Sequence, residues 1–341
     1  MEDNTTASDE RKNLNSVETL RNNLFDLAKN FVNTSQKKIE EKNLIILGDK
    51  CSGKSVLFNT ITQNSSSKSN YIPTCGINYS YMRYQPSTTK KLLLNIYEIG
   101  GGINNINLIK TVLNDKNLRN TIFLINLDLS RPREILILLK NYLKELKSII
   151  KEIAEHETIL DIVENKKSKY KDPNSNDFKR INIFPAEVIV IGNNYESLEV
   201  IDLEKIKWTC RCIRFLCHSN SLSIVFFKKS DTKIVKIFNN LIISLAYSTN
   251  GMLDSSTNFS QKNDILPLYI LYSNDTFLDI GEPKVFQQGS KDIYSLWEDT
   301  LYSVFPKNSD SIEEKINRDF DLDQASMYKE PRLDEELKLF E

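Results

Sequence analysis

The chain has 341 residues, with 45 Lys+Arg against 46 Asp+Glu, room for one domain of about 200 residues with appendages or for two smaller ones. The near-neutral balance excludes a global basic field for nucleic acid or anionic membrane, and no apolar run approaches the roughly 20 residues of a membrane span. Five cysteines, an odd number, with no signal-peptide pattern ahead of them, give the expectation of a reduced, intracellular protein.

Residues 1–16 are polar and read as unstructured. Val17, Leu20, Leu24, Leu27, Ala28 and Phe31 then recur at helical spacing, predicting an amphipathic helix laid on the domain or on a partner. Leu44 to Leu47 is a short apolar run, the length of a buried strand. Gly48, Asp49, Lys50, Cys51, Ser52, Gly53, Lys54 and Ser55 follow it and match G-x-x-x-x-G-K-S in full. Asn64 to Asn70 is a Ser-rich loop leading to Pro73 and Thr74. Ile77 to Met82 alternates as a strand does, and Leu92 to Tyr97 is a second strand ending at Glu98-Ile99-Gly100-Gly101-Gly102.

Thr121 to Leu127 is a further buried strand, closed by Asp128-Leu129-Ser130-Arg131-Pro132, where Pro132 suits the first turn of a helix. From Ile135 through Leu139, Tyr142, Leu146 and Ile150 to Ile153, apolar residues mark one face of a long helix. Lys166 to Lys179 reads as a charged, Asn-rich insertion loop. Glu187 to Ile191 is a strand, Leu203 to His218 a helix, Leu222 to Phe227 a last strand, and Asp231 caps a helix running to about Ser248. Strands alternating with helices predict an α/β domain with a mostly parallel sheet covered on both faces.

Past Ser248 the pattern changes. Asn250 to Asn263 is a polar linker, and Leu266 to Tyr272 a strand-like run. Ile293 to Phe305 is an aromatic-rich helix whose Trp297 is expected to fold back onto the domain. Ile312, Ile316 and Phe320, then Leu333, Leu337 and Phe340, form two stripes in charged surroundings, the pattern of helices that anchor in a partner. The organisation is therefore a tail and helix over 1–40, a P-loop domain over 41–250 and an extension over 251–341.

The chemistry lies in the glycine-rich loop. Its backbone N–H groups turn toward one centre where phosphate oxygens sit, and the helix opening at Lys54 adds its positive end. Lys54 reaches the β- and γ-phosphates, and the Ser55 hydroxyl takes one Mg²⁺ position. The competing reading is a strand-to-helix turn that binds nothing. Cys210, Cys212, Cys217 and His218 resemble a metal cluster, but the spacing is not that of a zinc site. Cys210, Ile213 and Cys217 share one helix face, so buried thiols are expected.

The P-loop, Pro73-Thr74, Glu98-Ile99-Gly100-Gly101 and Asn193-Asn194-Tyr195-Glu196 follow the motif order of Ras-like GTPases. More specifically, the chain resembles the dynein light intermediate chains, above all the form in cytoplasmic dynein 2, the ciliary retrograde motor. Tyr79-Ser80-Tyr81, the triple glycine after Glu98, the Asp-Leu-Ser-Arg-Pro turn, Arg214 to His218 and Leu296-Trp297-Glu298 carry the likeness. The resemblance implies a Ras-like fold and a Mg²⁺ shell of Ser55 and Thr74. Asn193, Asn194 and Glu196 occupy the guanine-reading positions, with Asn194 replacing the usual Lys and Glu196 the usual Asp. Gly102 stands where an active enzyme often carries a water-positioning Gln. The expectation is a pseudo-GTPase that holds GTP/GDP or ATP/ADP with Mg²⁺, or no nucleotide at all. The implied partners are the dynein 2 heavy chain and other dynein 2 subunits, and through them microtubules and intraflagellar transport trains. Neither nucleic acid nor membrane insertion is expected. The implied location is the cytoplasm, the cytoskeleton and the cilium, with its axoneme and basal body. A Rab-like switch is the alternative, disfavoured because no cysteine follows Cys217. A P-loop kinase lacks a recognisable acceptor motif.

Overall fold

Strand β1 (Ile39–Gly48) extends the apolar run of Leu44–Leu47 in both directions. It is central because its neighbours shield it on both sides. It pairs in parallel with β3 (Lys91–Ile99) and with β4 (Thr121–Asp128). The computed structural model describes residues 39–62, 74–84, 91–170, 175–247, 261–264, 266–284 and 292–306. The expected helix over 17–31, the Ser-rich loop and Pro73, most of the polar linker and both C-terminal stripes lie outside the described residues.

The described sheet has seven strands in the order β2-β3-β1-β4-β5-β6-β7. Here β2 is Ile77–Tyr84, β5 Glu187–Asn193, β6 Ser223–Phe226 and β7 Tyr269–Ile270. The five strands from β3 to β6 are parallel, while β2 and β7 join the two edges antiparallel. All eight residues of β4 are buried, as expected of a parallel strand covered on both faces. Strand order reverses between β1 and β4, so the crevice at their carboxyl ends is where α/β folds bind ligands.

One face carries Leu44, Ile46, Ile96 and Leu124 under α1 (Lys54–Ile61) and α7 (Thr232–Tyr247). The other carries Ile45, Leu47, Phe123 and Val190 under α3 (Ile135–Ile153) and α6 (Leu203–Ser219). The connecting helices are the short α2 (Asp115–Leu118), α4 (His156–Ser168), the one-turn α5 (Tyr195–Glu199) and α8 (Phe277–Ile280). Asp231 caps α7 as expected, its carboxylate accepting from Lys233 N at 2.8 Å.

Two local expectations are corrected. Pro132 lies in the turn before α3 rather than in its first helical turn, because the Asp128 loop runs on to Glu134 before the helix starts. Lys166 is no loop residue. Helix α4 carries it under the sheet, 3 % exposed, where its ammonium donates to Ala186 O at 2.9 Å and Ser221 O at 3.0 Å. The Tyr272 ring lies 5.1 Å from it. Two carbonyls and a ring face replace part of the hydration lost by a group that composition alone assigns to solvent, and burial lowers its pKa.

Helix α9 (Ile293–Val304) folds back as the sequence predicts. Trp297 is 1 % exposed, its ring stacked on Phe215 of α6 at 5.1 Å. Lys140 reaches Glu298 at 3.0 Å, and an Arg133 Nη donates to Phe305 O at 3.2 Å. The second half of α6 is consequently buried almost all round. Cys210, Cys212 and Cys217 are core residues, and burial pushes all three thiols well above the ordinary cysteine range.

Candidate phosphate-binding site

The loop between β1 and α1 turns where backbone, not side chain, dictates shape. Gly53 has φ +85°, and a Cβ there would lie 1.8 Å from Asn193 Nδ2, so only glycine fits. Cys51, an exposed non-glycine, also takes a positive φ of 60°. Two amides hold the loop from below. Asn126 of β4 donates to Ser52 O at 2.7 Å and Asn193 of β5 donates to the same carbonyl at 3.0 Å. Asn126 was not singled out in the sequence. Its signal is an amide inside an otherwise apolar strand, which must find a partner when buried.

Lys54 is 7 % exposed, and its ammonium donates to Asp49 O at 2.6 Å across the loop. Burial lowers its pKa against the opposing pull of Glu98 and Asp49. The Asp49 carboxylate accepts from Lys50 N at 2.9 Å. Ser55 Oγ donates to Glu98 Oε1 at 2.5 Å, and Asn78 Nδ2 to Glu98 Oε2 at 3.3 Å. Glu98 is 1 % exposed, a buried carboxylate beside a hydroxyl and an ammonium.

These groups fit a polyphosphate carrying Mg²⁺. Lys54 and the loop N–H groups would hold phosphate oxygens, and Ser55 with Glu98 would hold the metal. Two buried polar atoms of the cradle, Ser52 Oγ and Asn126 Oδ1, have no hydrogen-bond partner, capacity that a polar ligand can use. Thr74, half-buried, packs its carbonyl against Gly100, where a Cβ would come within 1.7 Å of it. Gly100 N donates to Gly76 O at 2.7 Å, and Asn105 Nδ2 to Cys75 O at 3.1 Å. The segment after β3 is thus fastened to the segment before β2.

Gly102 opens the 3-10 helix Gly102–Thr111 at φ +71°. A Cβ on it would stand 2.8 Å from Asp49 Oδ1. A side chain there would need a strained left-handed backbone and a shifted Asp49 carboxylate.

The three base-reading candidates do not converge. Asn193 faces the phosphate loop. Asn194, at φ 57°, turns back to donate to Asp128 Oδ1 at 2.8 Å. Asp128 also accepts from Ser130 N and Oγ at 3.0 and 2.7 Å and from Arg131 Nε at 3.3 Å. The Asp-Leu-Ser-Arg-Pro turn is therefore built around one carboxylate. Glu196 is exposed and accepts from Ser230 Oγ at 3.0 Å. Lys228 pairs with Glu199 at 2.6 Å, so this turn braces α5. Among the described residues no group of three or more His, Cys, Asp or Glu is placed to hold a metal ion.

Residues 21–172 match the family model described as Dynein light intermediate chain. The match spans 152 of the 341 residues. Cytoplasmic dynein 2 light intermediate chain 1 of Homo sapiens is 27% identical over 284 residues, covering 80% of this chain and 78% of the relative. Its counterpart in Rattus norvegicus is 25% identical over 313 residues, covering 87% and 85%. Among solved structures, the crystal structure of the dynein light intermediate chain's conserved domain is similar with a TM-score of 0.57 and 15% identity. It covers 80% of this chain and 95% of that one, which shows the fold. The family match ends shortly after α4.

Proposed function

We propose that the chain is a non-catalytic light intermediate chain subunit of the cytoplasmic dynein 2 motor. It docks on the heavy-chain tail beside other dynein 2 subunits and so reaches microtubules and intraflagellar transport trains. In that role it supports retrograde transport and cilium assembly from cytoplasm and cytoskeleton to axoneme. The observation that carries this reading is similarity to dynein 2 light intermediate chains over 80–87% of the chain. The resemblance in the triple glycine and the Asp128 turn supports it.

The absence of catalysis rests on Gly102. A phosphate cradle without a water-positioning side chain is a structural device. Purified protein should hydrolyse GTP or ATP no faster than an unassisted small GTPase, about 10⁻⁴ per second. A rate a hundred times higher that vanished with Lys54→Ala would overturn it. Nucleotide, where bound, acts through stability. GDP–Mg²⁺ or ADP–Mg²⁺ should raise the melting temperature of wild type but not of Lys54→Ala or Ser55→Ala, because a ligand of the native state alone stabilises it by mass action. No rise with either nucleotide makes the loop a folding relic.

The subunit assignment is tested by affinity purification from ciliated cells with partners identified by mass spectrometry. Recovery of the dynein 2 heavy chain is the expected result, and a Rab-type effector set without it refutes the reading. A chain ending at Pro306 should fold normally yet bring down less heavy chain, since residues 310–341 carry the apolar stripes of an anchor. Equal recovery removes the tail from the interface.

A further inference from the structure

Strand β2 lies at the edge of the described sheet, and no described element covers its Tyr79 and Tyr81. Tyr79 and Tyr81 are 52% and 51% exposed, and Ile77 is 37% exposed. All three alternate onto one face, as period-2 geometry requires. Tyr79 pairs with Tyr97 of β3, their rings 5.1 Å apart, and donates to Asn95 Oδ1 at 3.0 Å. The Arg83 guanidinium sits 5.2 Å from the Tyr81 ring. Tyr97 in turn pairs with Ile45 of β1, which α3 and the 3-10 helix bury along with the rest of that face. The helical layer stops one strand short of the edge. An eight-residue edge strand with one charge and no proline invites a cover.

The chain supplies a segment at that corner. β1 starts at Ile39 beside Lys91, and β2 ends at Tyr84 beside Leu92. Residues 1–38 therefore enter the sheet two strands, about 10 Å, across from β2 and about 13 and 20 Å along the strands from Tyr81 and Tyr79. Between Phe31 and Ile39 lie residues 32–38, which reach at most about 25 Å. A helix over 17–31 is about 22 Å long, close to the roughly 26 Å of β2. It would run back over the sheet as α3 and α6 do elsewhere.

We propose that residues 17–31 form an amphipathic helix that docks Leu20, Leu24, Leu27 and Phe31 on the Tyr79–Tyr81 face of β2. The tether favours this occupant over a second copy, because a short linker sets a local concentration in the millimolar range.

Hydrogen exchange on the full-length chain tests it. Amides of 17–31 should exchange at least about tenfold more slowly than in a free peptide of that sequence. Tyr79→Ser/Tyr81→Ser and Leu24→Asp/Leu27→Asp should each abolish that protection while β4 and β5 exchange as in wild type. Leu27→Cys with Tyr81→Cys should form a disulfide within one chain, independent of protein concentration. The proposal falls if 17–31 exchanges like the free peptide, or if the tyrosine variant leaves its protection intact. Protection or cross-linking that grows with concentration assigns the face to a second copy instead. Protection that appears only with the dynein 2 heavy chain assigns it to that partner.

Discussion

The phosphate-loop corner and the seam where α9 and the Asp275 turn meet α6 differ in how they hold buried charge, though both keep unpartnered polar atoms, Trp297 Nε1 and the His218 nitrogens at the seam among them. At the loop, Asn126, Asn193 and Lys54 each reach a backbone carbonyl, while Ser52 Oγ and Asn126 Oδ1 keep free capacity. At the seam, the charges are saturated. Arg214, 2 % exposed, bonds both Asp275 oxygens at 3.0 and 2.8 Å, Asp264 at 2.6 Å and Lys262 O at 3.2 Å. Arg211 adds a second contact to Asp264 at 3.0 Å. A corner whose ammonium rests on a backbone carbonyl keeps that charge available for a ligand. One with every charge matched, closed over by Trp297 and Phe215, is shaped to hold a chain in place. The difference sets the densest buried charge network of the described residues apart from the phosphate loop.

The seam breaks hardest. Trp297→Ala removes a fully buried ring from between α6 and the rest of α9, and should cost about 3–5 kcal/mol by urea unfolding. An effect under about 1 kcal/mol would show that α9 is an ornament. Arg214→Met should follow at about 3 kcal/mol, because it leaves Asp275 and Asp264 buried without their cation. Replacing Asp275 by Leu in the same chain should recover part of that loss, as the uncompensated charge goes with it. If the double variant is no more stable than the single one, desolvated charge is not the cause.

At the phosphate corner, Gly102→Gln sharpens the comparison. The substitution puts a side chain into a left-handed backbone and against Asp49, so it should cost about 1–2 kcal/mol. It should not create hydrolysis, since the glutamine would start from a left-handed backbone and against the Asp49 carboxylate. A rise in GTP turnover together with unchanged stability would mean that the Asp49–Gly102 contact yields readily.

Sequence periodicity and one motif made most of the fold legible. The limits of α3 agree with its apolar stripe residue for residue, and Trp297 foretold the seam by its size and nearness to the domain. What escaped was polar chemistry whose partners are distant in sequence. Lys166 looked solvated because the carbonyls that hold it belong to Ala186 and Ser221. Arg214 could not be matched to Asp275 and Asp264 across a polar linker. At the site, the glycine spacing gave the cradle, but base-reading positions carry no record of where their side chains turn. Asn194 turns to Asp128 and Glu196 to Ser230, choices made by the neighbouring turns.

The smallest effect concerns pH, and it again separates the two regions. His218, at the end of α6, is 4 % exposed with no hydrogen-bond partner at either ring nitrogen. The Phe277 ring lies edge-on at 4.6 Å, and Asp177 Oδ2 is 3.8 Å from Nε2. Burial lowers the His218 pKa more than Asp275 and Asp177 raise it, with Lys262 adding to the lowering. The unfolded histidine titrates near its ordinary value of 6.5 and takes a proton first as pH falls. Folded-state stability from this residue is therefore complete above about pH 6.5 and declines below it, at no more than about 1.4 kcal/mol per pH unit. The decline ends once the folded pKa is passed. His218→Phe keeps the packing on Phe277 and removes the proton site. Measured at pH 7.5, 6.5 and 5.5, the variant should gain on wild type as pH falls. If wild type gains instead, the two carboxylates overcome burial and the seam tightens in acid.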